Sequence, residues 1–392
     1  MAISLNEQTN QLEQPVSITE AEEKKPQSPE DQKKDKKLNL SFFDNIFSRV
    51  TVKEKIFFVQ QIGIMVQTGI SLSVALKTLS EQTTNKKFKE ILADLQITVE
   101  RGNLLSLGLE RHKKVFGELF VNMVKAGESS GKLEEVLKQL FTQMKKDNEI
   151  VSKVKSAMIY PCIVLIAMGG VAIMVMVYVI PKLTSIFTEM NAKLPLATTI
   201  LIALSNFTVK YGILLLILLV ILVILFKKII STQKGRFVYH AILLKTPIMG
   251  GILQEINLAR FCRTLSSLLK TDIAIIKSFE ITANVLGNEL YKQALLDGKE
   301  LIKKGKNVHD SLEAYTHLFP PVVMQMVSVG EETGSLDTIL EQSASFYEDE
   351  VDQTMKNLPS IIEPVLILFL GVGVAAMAIA IIMPMYNLGQ QI

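Results

Sequence analysis

The chain has 392 residues, 48% of them hydrophobic, a mean hydropathy of +0.31 and a formal net charge of +3. It is too apolar for an average soluble protein, and its basic residues form no aromatic-interleaved face, which argues against nucleic-acid binding. Cys162 and Cys262, the two cysteines, predict no disulfide framework, and the four histidines show no metal-ligand spacing.

The first 40 residues are polar, with eight acidic residues and six lysines. Such a composition buries too little apolar surface to fold, so we predict a disordered charged tail over residues 1–40. The tail lacks the basic start and apolar core of a signal peptide, and we expect it to lie in the cytoplasm.

Residues 41–155 are predicted to form a first helical domain. Apolar residues recur at helical spacing after the glycine-rich segment "VKAGESSGKLEEV" (residues 124–136), and sustained strand-like alternation is missing. That segment is not a P-loop, because only three residues separate Gly127 from Gly131 and Leu133 follows Lys132. We therefore predict no nucleotide site there.

Three uncharged apolar segments predict three transmembrane helices. The first and third, residues 156–181 and 364–386, are long enough to span a bilayer. The second, residues 211–226, spans if Lys210 extends its amine outward and the helix begins within 205–209. Residues 182–210 then connect the first two spans on the outside, and residues 387–392 form an external C-terminus.

Lysine and arginine predict the orientation. Residues 136–155 and 227–246 carry five each, whereas the 29-residue connection 182–210 carries three. Because basic flanks stay in the cytoplasm, the first domain and a second domain over residues 227–363 are both predicted to be cytoplasmic.

The second domain repeats the first at an offset of 203 residues without a gap. Gly127 pairs in this way with Gly330, Glu128 with Glu331 and Gly131 with Gly334. The following pairs obey the same offset: Phe58 and Phe261, Thr68 and Thr271, Gly102 and Gly305, Phe116 and Phe319, Pro161 and Pro364, Gly170 and Gly373, and Pro181 and Pro384. The sequence thus predicts an all-α integral membrane protein with two repeated helical bundles.

The repeated Gly-Glu segments, residues 127–133 and 330–336, are called the corners below. We expect Gly127 to end one helix in the left-handed conformation, and the Ser/Thr–Gly pair to open the next. Glu128 and Glu331 would lie near the positive end of that next helix. A corner is either a helix–helix turn alone or also an edge that docks a partner, and both interpretations stay open.

Two pairs are predicted to act in the membrane. Pro161 and Pro364 mark where each repeat's chain enters its span. Gly170 and Gly373 remove side chains where helices can approach closely, although glycine is also simply tolerated in membrane helices.

These features resemble the type II secretion system F family. The resemblance covers residues 41–392 and is carried by the openings "FVQQIGIMVQTGISL" and "FCRTLSSLLKTDIAI", by the corners "GESSGKL" and "GEETGSL", and by their fixed relation to the spans. It implies a non-enzymatic inner-membrane platform protein of a type IV pilus, secretion or DNA-uptake machine. The implied partners are a cytoplasmic assembly ATPase, pilin or pseudopilin subunits, other inner-membrane assembly proteins and further copies of the chain.

The chain departs from the family pattern at several positions. Gln60 stands where the family carries an arginine that Arg263 retains, and Asp272 replaces the glycine that Gly69 retains. Lys132 and Ser335 follow the corner glycines where an acidic residue would favour a cation, so no metal site is expected. No catalytic or cofactor site is predicted either. A transporter is disfavoured because Glu363, at a span's edge, is the nearest acidic residue, and a membrane enzyme because no nucleophile constellation is visible.

Overall fold

The computed structural model describes residues 49–189 and 196–389, and all secondary structure described there is helical. The predicted tail, residues 1–40, lies outside this part of the chain, as do residues 390–392. The helices of the first repeat are α1 (Val52–Gln67), α2 (Leu72–Gln82), α3 (Lys86–Glu100), α4 (Leu105–Arg111), α5 (Lys113–Phe116), α6 (Glu118–Ser130) and α7 (Leu133–Met174).

A π-helical turn (Val175–Val179) follows α7 and leads into α8 (Ile180–Glu189) and then α9 (Leu196–Ser231). The second repeat consists of α10 (Gln233–Lys245), α11 (Met249–Lys270), α12 (Ile275–Val285), α13 (Glu289–Lys303), α14 (Val308–Leu312), a 3₁₀ turn (Glu313–Tyr315), α15 (Pro321–Glu332) and α16 (Leu336–Gly389).

The duplication is visible in the helix boundaries. Adding 203 to the bounds of α2 and α3 gives the bounds of α12 and α13, and Leu133 and Leu336 begin the two long helices. Local chemistry supports the shared starts, since Asn85 and Asn288 each accept a backbone N–H at the N-terminus of the following helix. The all-α, duplicated fold predicted from the sequence is confirmed.

Each repeat has its own apolar core around an equivalent aromatic cluster. In the first repeat the Phe58 ring lies 5.8 Å from Phe88 and 5.7 Å from Phe116. In the second, Phe319 lies 5.1 Å from Phe261 and 5.4 Å from Tyr291. Tyr291 takes the place of Phe88, and its hydroxyl donates to the Leu318 carbonyl at 2.8 Å, which satisfies the added polar atom.

The two cores are joined by side chains that each repeat contributes to the other. Ile150 and Ala157 of α7 pack into the core of the second repeat. Leu268 and Ile281 of the second repeat pack into the core of the first. The repeats therefore form one continuous helical body.

In the part of the chain that the structure describes, three helices are long and apolar enough to cross a membrane, within Leu133–Ile186, Thr198–Ser231 and Leu336–Ala380. The first and third include the long helices of the repeats, so each repeat continues into its span without a break. The second span differs from the prediction, because α9 begins at Leu196 and takes up much of the predicted connection.

Polar contacts join the three spans near the α8–α9 connection. Thr198 donates its hydroxyl to the Ala380 carbonyl at 2.6 Å, and Ser205 donates to the Met176 carbonyl. In lipid, a hydrogen bond from a side-chain hydroxyl to a carbonyl of another helix stabilises the contact between the two helices.

The prolines predicted to mark the membrane boundary interrupt neither long helix. Pro161 lies inside α7 and Pro364 inside α16. The departure from α-helical geometry comes later, at the π-helical turn just before Pro181. Because proline has no N–H to bond the carbonyl four residues earlier and its ring crowds that turn, a widened turn there is its physical consequence.

Candidate functional site

The two corners have the same geometry, in which the second glycine, and not the first, ends the helix. Gly131 closes α6 with φ of 72°, and Gly334 follows α15 with φ of 67°. The Lys132 N–H donates to the Gly127 carbonyl at 2.8 Å and the Ser335 N–H to the Gly330 carbonyl at 2.9 Å. Both are left-handed helix ends of the kind glycine favours.

The predicted left-handed cap at Gly127 is therefore wrong, since this glycine lies within α6. The predicted opening of the next helix by the Ser/Thr–Gly pair is also wrong. Ser130 lies within α6 and Gly131 ends it, and Thr333 and Gly334 end α15 in the same way. Gly127 is needed for a different reason, because an added Cβ would lie 2.8 Å from Val136 Cγ2. At Gly330 it would lie 3.0 Å from the Leu336 Cα. The first glycine of each corner lets two helices approach closely.

The corner glutamates hold the start of a helix that precedes them by 23 residues. The Glu128 carboxylate accepts the N–H of Leu105 at 2.5 Å and that of Ser106 at 2.9 Å. These two N–H groups begin α4 and have no partner within the helix. The prediction placed the carboxylate at the next helix; the structure uses it at α4.

The second corner repeats this arrangement. Glu331 accepts the N–H of Val308 at 2.7 Å and that of His309 at 3.2 Å, at the start of α14. The donors are again related by 203, since 105 + 203 is 308 and 106 + 203 is 309. Each carboxylate thus stabilises the fold of its own repeat through charge-assisted hydrogen bonds.

Two of the departures noted in the sequence meet at the junction of the repeats. Lys132 Nζ lies 3.0 Å from Asp272 Oδ2, and the aspartate raises the pKa of this lysine by hydrogen bonding and charge. Asp272 itself has φ of 59°, the left-handed conformation that Gly69 takes with φ of 81°. Aspartate is one of the few residues that tolerate this region.

Arg263 and Glu348, which are both buried, form the centre of a polar cluster that the sequence did not predict. Glu341 and Ser345 lie at its more exposed edge. The Arg263 Nε donates to Glu348 at 2.8 Å and its guanidinium to Ser345 at 3.1 Å, and Glu341 lies 3.7 Å away. Glu341, Ser345 and Glu348 follow at i, i+4 and i+7 on one face of α16, a spacing that was visible in the sequence. The first repeat has Gln60 and no such cluster.

A further polar seam joins α7 to the second repeat. Gln143 bonds Thr264 at 3.3 Å and accepts from Ser267 at 3.2 Å. Ion pairs continue this seam toward the membrane, with Lys146 and Glu348 3.2 Å apart and Lys153 and Asp352 2.7 Å apart.

The pKa values of two carboxyl groups of this seam are shifted in opposite directions. Burial raises the pKa of Asp147 although Arg260, 3.4 Å away, opposes the shift. Hydrogen bonds from Lys153 and Lys356 hold the pKa of Asp352 at about 2. The Asp352 carboxyl group is therefore ionised at any pH near neutrality.

The membrane glycines face outward in the single chain. A Cβ added at Gly170 or Gly373 would meet nothing within 4 Å. Neither glycine packs a helix of its own chain, so a role in helix packing needs a second molecule.

Among residues 49–189 and 196–389, no three His, Cys, Asp or Glu side chains are grouped so that they could hold a metal ion. The Asp147–Arg260 pair is half-buried. The cavity beside it, about 620 Å³ in volume, also includes Lys53, Asn148 and Lys155. It mixes basic, acidic and apolar groups and defines no particular ligand.

These observations define a class of protein: an all-α membrane protein made of two copies of one helical unit, each continuing into a membrane helix. A family model described as type II secretion system (T2SS), protein F, matches the chain twice, over residues 58–181 and 261–384. The matches are 203 residues apart, since 261 − 58 and 384 − 181 both give 203. The chain belongs to the type II secretion system protein F family.

Named relatives cover most of the chain. The type IV pilus assembly protein PilC of Thermus thermophilus is 36% identical over 337 residues, which are 86% of this chain and 83% of that protein. The protein of the same name from Myxococcus xanthus is 34% identical over 342 residues, 87% and 82% of the two chains. The type II secretion system protein F of Vibrio cholerae is 30% identical over 329 residues, 84% and 81%.

Proposed function

We propose that this protein is the inner-membrane platform of a type IV pilus machine, coupling a cytoplasmic assembly ATPase to the assembly of pilin subunits. The duplicated family match, over both repeats and the helices that leave them, is the observation that carries this proposal. The long helices α7 and α16 support it mechanically, because each joins a soluble bundle to a membrane span in one rigid rod.

A pilus is favoured over a secretion pseudopilus by the names of the relatives. Those from Thermus, Myxococcus and Pseudomonas aeruginosa, at 36%, 34% and 31% identity, are pilus assembly proteins. The relatives named type II secretion system protein F have 27% to 30% identity. The second candidate is the platform of a secretion or DNA-uptake pseudopilus.

Both repeats are proposed to face the cytoplasm, with the α8–α9 connection outside. The shared cores of the repeats support a common side, because two bundles packed on each other cannot be separated by a bilayer. The five basic residues in 136–155 and the five in 227–246 support the cytoplasm as that side.

The proposed partners are the assembly ATPase, pilin or pseudopilin subunits, other inner-membrane assembly proteins and further copies of this chain. We infer that the chain itself is not an enzyme and that the energy for assembly comes from the ATPase. The Lys132 N–H, which a phosphate-binding loop would offer to its ligand, is directed instead to the Gly127 carbonyl. Purified protein is expected to show no ATP hydrolysis.

The test is deletion of the gene in its host, followed by complementation with a tagged chain. We expect surface filaments to disappear and to return with the tagged chain, and the assembly ATPase to co-purify with it from detergent extracts. Normal filaments in the deletion strain would contradict the pilus proposal. Loss of protein secretion or DNA uptake with normal filaments would instead establish the second candidate.

A further inference from the structure

The contact between the two repeats is not symmetric, although the repeats are equivalent. The first repeat uses α7, through Gln143, Lys146 and Lys153; we call these residues the inserting face. The second repeat receives it on α11 and α16; we call its contact residues, Thr264, Ser267, Glu348 and Asp352, the receiving face. Different surfaces of equivalent units meet, which is a head-to-tail contact.

A head-to-tail contact leaves one complementary surface unused at each end. Adding 203 to the inserting face gives Phe346, Asp349 and Lys356 on α16. Subtracting 203 from the receiving face gives Gln61, Ile64, Lys145 and Glu149 on α1 and α7. Phe346 and Ile64 are 47% and 46% exposed, and Asp349, Lys356 and Lys145 are exposed as well. Lys356 also pairs with Asp352 at 2.7 Å along α16, so it would be shared between that aspartate and a new partner.

The unused surfaces are complementary to each other. The pair equivalent to Lys146–Glu348 is Asp349–Lys145, with both signs reversed, and the pair equivalent to Lys153–Asp352 is Lys356–Glu149. The polar contact of Gln143 with Ser267 becomes an apolar contact of Phe346 with Ile64. Both ion pairs are thus matched on the unused surfaces, and charge complementarity of this kind fixes the register of an interface.

The surface on the first repeat also has a groove that can take a side chain of an inserting helix. A groove of about 320 Å³ runs between α1 and α7, and it is lined by Gln60, Gly63, Ile64, Lys138 and Phe141 among others. The counterparts of Gln60 and Lys138 in the second repeat are Arg263 and Glu341, whose ion pair fills the equivalent position.

This contact is compatible with two chains that insert into one membrane in the same orientation. Lys146 meets Glu348 and Lys153 meets Asp352, so contacts advance in the same direction along α7 and α16 and the two helices run parallel. The rotation and translation that superimpose the first repeat on the second therefore leave the long helix pointing toward the same side of the membrane. A second chain added by the same operation would insert with the same orientation.

We propose that copies of this chain assemble head to tail, with Phe346, Asp349 and Lys356 of one chain packed on Ile64, Lys145 and Glu149 of the next. The partner is a second copy of this chain, and the contact reproduces the one already made between its repeats. This proposal specifies the interface of the homo-oligomer. It rests on the proposed function, in which further copies of this chain are partners.

The test uses two differently tagged chains on a background lacking Cys162 and Cys262. One chain carries Phe346→Cys and the other Ile64→Cys, and membranes from cells producing both are treated with a short bismaleimide. We expect a cross-linked dimer that carries both tags. Neither variant produced alone should cross-link, and the exposed control Lys87→Cys should not cross-link to Phe346→Cys.

Charge reversal then tests the pairing of specific residues. Asp349→Lys in the Phe346→Cys chain should lower the cross-linked fraction about two- to fivefold, the range of an exposed ion pair. Lys145→Asp in the other chain should restore it, because the pair is rebuilt with reversed signs.

Native gels of the same samples show whether the interface or the homo-oligomer itself is wrong. Oligomers without the mixed cross-link would overturn this interface and leave the homo-oligomer standing. Cross-linking of Phe346→Cys to itself would show a symmetric contact and would also overturn the interface. Monomers alone would overturn both the interface and the proposed oligomer.

Discussion

The glutamate of each corner is a residue whose position in the sequence does not reveal its partner. Glu128 and Glu331 lie in the last turn of one helix and accept hydrogen bonds from the first N–H groups of another, 22 and 23 residues earlier. Because both oxygens of each carboxylate accept a backbone N–H of their own chain, the corner acts first as a structural clamp.

Glu128→Gln and Glu331→Gln should each lower the free energy of unfolding by about 1–3 kcal/mol, the range for a lost hydrogen bond to a charged group. A glutamine has one acceptor oxygen and must point its NH₂ group at a backbone donor. The measurement is denaturation of the purified variants, with the exposed Glu134→Gln as the control that changes little.

Filament output beside protein level distinguishes the two interpretations of the corner. Equal phenotypes for Glu128→Gln and Glu331→Gln are expected from a clamp that works in the same way in both repeats. One silent variant and one null variant at normal abundance would instead identify a partner-docking edge at the null position.

Gly127→Ala and Gly330→Ala should both lower protein abundance, because the new Cβ would meet the next helix at 2.8 Å and 3.0 Å. Gly251→Ala is the matched control: it lies in a helix with open space around it. That control should keep or raise stability, since alanine is the better helix former by about 1 kcal/mol. Normal abundance of Gly127→Ala would contradict the close approach.

At the level of elements, α7 belongs to both repeats. Its first turns complete the core of the first repeat with Val136, Leu137 and Leu140. Its later turns place Ile150 and Ala157 in the core of the second, and the same helix then continues toward the membrane. A displacement of one repeat is therefore transmitted directly to the other and to the first span.

Lys153→Glu should weaken the packing of the repeats by about 0.2–1 kcal/mol, because the partly exposed pair with Asp352 is replaced by repulsion. Adding Asp352→Lys should recover most of this loss. Limited proteolysis of the purified variants reports the change, and Lys303→Glu, whose ion pair lies within α13, is the control. A double variant no better than the single one would contradict the pairing.

The membrane glycines make a prediction about helices from different chains. Gly170→Leu combined with Gly373→Leu should weaken oligomers on native gels, because both positions face open space in the single chain. Gly212→Leu, in the second span and equally open, is the control and should leave oligomers intact. Unchanged oligomers in the double variant would contradict a role of these two glycines in helix packing between chains.

For the whole molecule, the sequence was sufficient to predict the helices wherever the repeat itself carried the information. The offset of 203, visible in Phe58, Phe116 and the corners, predicted equivalent helices, and the boundaries of α2, α3, α12 and α13 agree with it. The three uncharged segments likewise predicted three spans. Both signals are periodic or continuous along the chain, so they do not depend on tertiary contacts.

The features that sequence reasoning missed depend on contacts distant in sequence. The Glu128 clamp, the burial of Arg263 with Glu348 and the seam formed by Gln143 each join segments that come together only on folding. The early start of α9 at Leu196 was missed because polar residues in 196–210 masked its helical continuity. Assigning the cap to Gly127 instead of Gly131 came from taking the first glycine as the helix end, which spacing alone does not decide.

We propose that both repeats lie in the cytoplasm, where an assembly ATPase can reach them. Single cysteines at Lys87, Lys306 and Thr188, three exposed positions, test it on a background lacking Cys162 and Cys262. Intact cells are treated with a membrane-impermeant maleimide. We expect labelling of Thr188→Cys alone, with Lys87→Cys and Lys306→Cys labelled only after lysis. Labelling of either repeat in intact cells would show that the repeats are not cytoplasmic.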